Sequence, residues 1–450
     1  MRRRVDVQRP LMQGFIDHDH ARELQAMGEV LEGIPEVLEA VREDLLQGRG
    51  ARRGRRGMSA DQVVRALVVK QMNGYSYEEL AFHLADSTCY RAFCGIGAFE
   101  KSWKKSTLQE NIKRLSVRTL EGLNQHIVRY AQGAGVETGK KARVDCTTVE
   151  ATIHPPTDST LLWDVTRVLV RLMKEAESFG LAFTNHERRA KRRAWGIRNA
   201  KRHDERVRLY RDLVKVTKKT VGQAEAVASA LEAGKGSEDP AVAVALAKEL
   251  RDVVGVGQQV FDQSRRRVFE GKTVPAQEKV VSIFERHTDI ISTGSREPKY
   301  GHKVCLSLGA SGLVMDCVVE EGNPADSTLA TKMIQRHRDL YHDVPRQVVF
   351  DGGFASRVNL KGLKDLGVED VAFSKRCGLA ITEMVASSWV YKRLRNFRAG
   401  IEAYISFLKR CFGLSRCSWK GWASFGAYVW SSVVSVNLLI IARHKIATAT

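Results

Sequence analysis

A mixed α/β sheet with helices packed on it, preceded by an all-helical domain, is the fold class this sequence predicts. Three observations carry it. Apolar residues recur at helical spacing from Ser59 to about Gln132. β-Branched or alternating runs surround Asp145, Lys303 to Val319 and Gln347 to Phe350. Beyond those strands, helix and strand alternate until helix dominates to the C-terminus. The 450 residues suffice for about three domains.

Hydrophobic residues at 43% and aromatics at 7% describe a soluble globular protein and exclude a disordered one. The 72 basic residues against 52 acidic give a formal charge of +20, which favours a polyanionic partner, nucleic acid first. Eight cysteines show neither a CxxC pair nor zinc-finger spacing, so they read as free thiols of a reducing cytoplasm. The arginine-rich start runs into polar sequence and is not a signal peptide. Gly421 to Ala442 is uncharged and long enough to span a bilayer. Ser424, Ser431, Ser432, Ser435 and Asn437 make it too polar for that, and a buried C-terminal helix with no membrane partner is expected.

Residues 1–57 read as a basic N-terminal segment, amphipathic near Leu31 to Leu46, ending in a flexible Arg- and Gly-rich linker from Arg49 to Arg56. Residues 58–135 read as a helical DNA-binding domain. Val63, Val64, Leu67, Val68 and Met72 predict a helix that Gly74 stops, and Ser76-Tyr77-Glu78-Glu79 predicts a capping box for the next. A second cap at Ser106-Thr107-Leu108-Gln109 is expected to open one longer helix through Ile112, Leu115, Leu120 and Leu123. Lys101, Lys104 and Lys105 precede it, an arrangement compatible with a helix-turn-helix module in which Lys104 and Lys105 meet phosphates.

The rest, 136–450, reads as one catalytic domain with a helical insertion at about 158–270. Within the insertion, Asn185 to Thr217 is dense in base, and Val207, Tyr210, Leu213 and Val214 keep a helical stripe. One long amphipathic helix with a positive outer face is expected there.

Three carboxylates stand out. Asp145 sits in a β-branched run, Asp351 follows an apolar strand and precedes Gly352-Gly353, and Glu402 lies between Arg398 and Lys409. At ~100° per residue the last three fall within roughly 40° on one helix. Two strand acids and one helix acid could hold two Mg²⁺ ions, with Mn²⁺ as a substitute, over a phosphodiester. Each acid alone has a plainer reading as a strand edge, a turn or an exposed helix pair.

With these residues in view, the sequence resembles the DDE transposases of bacterial insertion sequences, in particular the ISNCY-type group. The resemblance rests on Asp145-Cys146-Thr147-Thr148-Val149-Glu150, Pro156-Thr157-Asp158-Ser159, Tyr300-Gly301-His302-Lys303, Gly322-Asn323-Pro324-Ala325-Asp326, Phe350-Asp351-Gly352-Gly353-Phe354 and the Arg398, Glu402, Lys409 set. It departs where Arg395 stands at the family's usual tyrosine. It implies a ribonuclease-H-like core in which Asp145, Asp351 and Glu402 are the catalytic, metal-holding acids, while Arg398 and Lys409 hold DNA phosphates. It also implies cleavage at the ends of a mobile element and joining of the 3′-hydroxyls to target DNA. The partners would be double-stranded DNA, as terminal inverted repeats and target, and a second copy of the chain on that DNA. Asp158, Asp326 and His302 are expected to be structural or to support the site. A catalytically silent DNA-binding descendant, or a nuclease that cuts without joining, shares these residues.

Overall fold

The computed structural model describes residue 4 and residues 18–47, 57–97, 99–234, 239–292 and 297–449. The expected basic linker from Arg49 to Arg56 lies outside these. The chain forms two compact units, one from residues up to Thr152 together with those from Gly301 onward, the other from Ile153 to Tyr300.

Among the described residues the first unit opens with the helices α1 (Asp19–Glu32), α2 (Val37–Leu46), α3 (Ala60–Asn73), α4 (Tyr77–Asp86), α5 (Thr88–Phe93), α6 (Lys105–Ile112) and α7 (Val117–Gly133). Their limits follow local chemistry. Ser59 and Gln62 form a capping box at the head of α3, and Gly74 ends it at φ +66°, a left-handed turn suited to glycine. Ser76 and Glu79 make the same box for α4. The single helix expected from Ser106 is instead two. Lys104, not Ser106, is the N-cap of α6. Ser116 restarts the chain by accepting a 3.2 Å bond from the Thr119 amide and donating its own amide to Asp44 at 2.7 Å. A cap with partners on both sides outweighs an uninterrupted apolar period.

Strand β1 (Lys141–Glu150) leads into the second unit, which holds α8 (Asp158–Ala176), α9 (Glu187–Asn199), α10 (His203–Glu232), α11 (Pro240–Ser264) and the short strand β2 (Asp289–Ile291). The insertion expected at about 158–270 lies inside it. Leu161, Leu169, Leu213 and Leu250 are buried in a common core. The one basic helix expected from Asn185 to Thr217 is broken at Ala200, which is extended. That break folds α9 back on α10, so that Arg189 and Arg193 both pair with Asp212.

The first unit resumes with β3 (Lys299–Leu308), β4 (Val314–Val319), α12 (Ala330–Tyr341), β5 (Gln347–Phe350), α13 (Arg357–Asp365), β6 (Asp370–Phe373), α14 (Ile381–Met384), α15 (Ser388–Cys411) and α16 (Trp422–Ala449). Its sheet reads β4-β3-β1-β5-β6, with β4-β3-β1 antiparallel and β1-β5-β6 parallel. Val144, Val348, Phe350 and Phe373 are fully buried beneath α12, α13 and α15.

Helix α16 is the one described helix long and apolar enough to cross a membrane, and its apolar stretch is buried inside this unit against α1, α3, α7 and β4. Its polar residues have specific partners. Asn437 accepts from the Val314 amide at 2.9 Å and donates to the Val314 carbonyl at 2.8 Å and to Asn124 at 2.7 Å. Ser432 donates to the Phe412 carbonyl and accepts from Gln71, each at 2.8 Å. Such fixed pairing suits a protein core.

Candidate active site

Asp145 and Asp351 are brought together by strand register. Val144 of β1 lies opposite Phe350 of the parallel β5, so Asp145, still within β1, stands beside Asp351, which directly follows the end of β5. The C-terminal end of a parallel strand beside a change of strand direction is where α/β proteins place ligands. Helix α15, capped by Ser387, packs across β1, β5 and β6 and carries Arg398 and Glu402 to the same place.

The three carboxylates converge on one guanidinium. Arg398 Nη2 lies 3.1 Å from Asp145 Oδ2 and 3.1 Å from Asp351 Oδ1, and its Nη1 lies 3.1 Å from Glu402 Oε1. Arg398 was expected at DNA phosphates; in this structure it is the hub of the acids. The reason is electrostatic, since three anions gathered at one edge need a cation among them. Its Nε is buried without a hydrogen-bond partner.

Exposure rises across the set, from 14% for the Asp145 side chain through 40% for Asp351 to 69% for Glu402. The acids therefore form a ramp open on one side, suited to a large substrate. Burial pushes the Asp145 carboxyl up to about 6, against the pull of Arg398 and of the Cys146 amide, which donates to Oδ1 at 2.8 Å. At Asp351 burial also pushes upward. There the Ser374 hydroxyl, donating to Oδ1 at 2.7 Å, acts with the Gly352 amide, Arg398 and Lys375 to hold the group below its ordinary value. Two neighbouring acids with opposite shifts mark a functional candidate.

Arg143, which the sequence reading passed over, fixes α15 to β1. It lies two residues before Asp145 on the same strand, almost fully buried. Its guanidinium stacks over Phe397 at 4.5 Å and Tyr404 at 4.9 Å, and Nη1 donates to the Phe397 carbonyl at 2.9 Å. Gly400 makes room for it, because a Cβ there would meet Arg143 Nη1 at 2.4 Å. An arginine at strand period 2 from the acid, together with a glycine inside a helix, was the available signal.

The other expected residues are more scattered. Lys409 is on α15, two turns beyond Glu402, and half-buried. Lys104 is exposed at the start of α6, and Lys105 beside it pairs with Glu78 at 2.9 Å. Arg395 is exposed on α15, one turn before Arg398. Asp326 pairs with Lys303 at 2.8 Å, and His302 is buried against Trp422 and Phe425. In the second unit, Asp158 pairs with Arg267 at 3.1 Å and accepts from Gln263 at 2.8 Å.

Carboxylate oxygens are the donors that Mg²⁺ prefers, and a guanidinium bridging three of them is a stand-in positive charge at their focus. On that chemistry Asp145, Asp351 and Glu402 fit a divalent ion. Among the described residues, no group of three His, Cys, Asp or Glu side chains is close enough to hold a metal as placed. The carboxylates are spread around Arg398, so they would have to close up.

Two family models match the chain. Residues 263–438 match the Transposase DDE domain, and residues 12–114 match the Transposase domain (DUF772). No curated protein and no solved structure matches it.

Proposed function

We propose that this chain, which belongs to the insertion-sequence DDE transposases, cuts phosphodiester bonds at the ends of a mobile element and joins the freed 3′-hydroxyls to target DNA. The observation that carries the reading is the convergence of Asp145, Asp351 and Glu402 on Arg398. Further support is the sheet order β4-β3-β1-β5-β6 with its antiparallel-to-parallel change at β1, which we read as ribonuclease-H-like. The acids stand beside that change.

Enzymes of this family generally depend on divalent metal. When bound between Asp145, Asp351 and Glu402, two Mg²⁺ (or Mn²⁺) ions would supply Lewis-acid charge and lower the pKa of an attacking water. The remaining work falls to this chain's own side chains. Arg143 and the Phe397 carbonyl hold α15 in register with β1, so that Glu402 stays over the strand acids. Arg398, a rigid fork of donors, and Lys409, two turns beyond Glu402, neutralise phosphate oxygens of the DNA. The exposed side of Glu402 leaves room for a duplex. Within α3–α7, α6 with Lys104 and Lys105 at its head is the reader of the element's ends. Pairing two ends calls for at least two copies of the chain on DNA.

The test uses purified full-length protein with Mg²⁺ and the DNA flanking its own gene. Asp145→Asn, Asp351→Asn and Glu402→Gln should each lower cleavage by at least about a thousandfold, while DNA binding stays within about twofold. Full cleavage by any one of the three would remove that residue from the proposed set.

A further inference from the structure

Half of the chain's net charge is concentrated in 33 residues. Between Glu187 and Lys219 there are fourteen basic residues against four acidic, in a chain whose total is +20. The structure divides these cations by use. Ala190, Ala194 and Ile197 turn one face of α9 into the core. Arg189 and Arg193, flanking that face, are spent on Asp212 of α10. At ~100° per residue, Arg188, Arg192 and Trp195 lie in one row opposite the buried face, with Lys191 and Arg198 along one side of it. Trp195 is 58% exposed, large for the bulkiest apolar side chain. Among the described residues, Arg188, Arg192 and Arg198 have no ion-pair or hydrogen-bond partner, and Lys191 faces only the Trp163 ring, at 5.9 Å. Gly196 lets Leu209 of α10 come within 3.2 Å of where a Cβ would sit, which holds α9 close to its support.

We propose that this outward row of α9 is a DNA-backbone grip, with Arg188, Lys191, Arg192 and Arg198 on phosphates and Trp195 packed on deoxyribose or on the face of an unpaired base. The proposal rests on the reading that the chain acts on DNA, and it assigns to the second unit a contact that the carboxylate site does not need. Charge complementarity selects the partner. The row runs about 16 Å, over which a duplex presents about nine phosphates on its two strands. Cations without an ion-pair partner in the fold break none on meeting them. An aromatic ring among such cations is the composition of surfaces that track a nucleic-acid backbone. A membrane surface would require an apolar face beside the charges, and α9 has Trp195 alone.

The decisive experiment measures affinity against salt for full-length protein on a labelled duplex from the element's end and on an unrelated duplex. Arg188→Gln/Arg192→Gln/Arg198→Gln should bind both duplexes about 10- to 100-fold more weakly near 0.1 M salt, with the log–log salt slope reduced by about 3. Trp195→Ala should weaken binding about 5- to 10-fold with the slope unchanged, and Trp195→Phe should restore most of it. Thermal unfolding should be unaltered in all of these, because the side chains have no folded partner to lose. As a control, Lys215→Gln/Lys218→Gln/Lys219→Gln on α10 should change binding less than the α9 triple variant. Wild-type affinity and slope in both the triple variant and Trp195→Ala would overturn the grip, as would a loss confined to RNA or to anionic vesicles. The underlying reading fails in a different way: the wild type itself would then neither bind nor cut its own flanking DNA.

Discussion

At the scale of single residues, Arg398 is the most informative side chain. It is one cation among three carboxylates, each 3.1 Å away, and the most buried of them is Asp145. Removing it should leave those charges facing one another. Arg398→Ala is expected to destabilise the metal-free protein by about 1–3 kcal/mol above pH 7. Added Mn²⁺ should then raise its melting temperature by more than it does for wild type. Calorimetry with and without Mn²⁺ decides this, and an equal metal effect in both proteins would separate Arg398 from the metal ligands. Gly400 gives a second check. In an exposed helix Gly→Ala stabilises by about 1 kcal/mol. Here the added Cβ would collide with Arg143, so Gly400→Ala should instead cost about 1–3 kcal/mol and lower cleavage. Urea titration gives the sign directly. The three acids could be picked out as candidates in the sequence because strand, turn and helix patterns each frame one of them. The hub role of Arg398 was not, since helical spacing fixes its stripe but not which strand residues come to meet it.

At the scale of elements, strands and capped helices were the readable part. The β3-β4 hairpin and β5 follow from β-branched or apolar runs, α3 from an apolar helical period that Gly74 stops, and α4 from a capping box. The errors came where apolar period continued through a break, at Ser116 between α6 and α7 and at Ala200 between α9 and α10. In both places the deciding partner, Asp44 or Asp212, belongs to another helix and is invisible to local pattern. The polar residues of α16 were read as arguing against a membrane span, and their pairing makes that reading quantitative. Asn437→Leu would leave the Val314 amide and the Asn124 Oδ1 without this partner, while the Val314 carbonyl keeps the Asn124 amide at 3.2 Å, and should cost about 1–3 kcal/mol in denaturant unfolding. In the second unit, His154 Nε2 donates to Asp164 Oδ2 of α8 at 2.6 Å, and that bond raises its pKa. The sign follows. Stability from a raised histidine is complete below its unfolded pKa of about 6.5 and fades as pH rises through the higher folded value. The side chain is partly exposed and Arg167 also serves Asp164, so the contribution should stay below about 1 kcal/mol. Wild type should thus lose stability relative to His154→Gln between pH 6 and pH 8, and parallel curves would exclude the pair as a contributor.

At the scale of the whole molecule, the transposase assignment joins a strongly basic chain to DNA, and binding should follow counterion release. Lys104→Ala at the head of α6 should weaken binding to the element's ends and lower the salt slope by about 1, while Lys105→Ala should do less because Lys105 already pairs with Glu78. Equal effects of the two would argue against α6 as the reader. Point changes are the right instrument, because deleting residues 1–135 would strip α16 of α1, α3 and α7. The same packing governs the order in which the molecule is made. The second unit is continuous in sequence and can close on itself while synthesis proceeds. The first cannot: α1 meets α16 across nearly four hundred intervening residues, and β1 waits for β3 and β5. Until α16 has been made, α1, α3 and α7 keep an apolar face exposed, and the carboxylate edge waits for α15. A nascent chain, or one cut short before Ser388, would therefore carry the basic second unit without Arg398 or Glu402. Its hazard to a cell would be aggregation or idle occupancy of DNA.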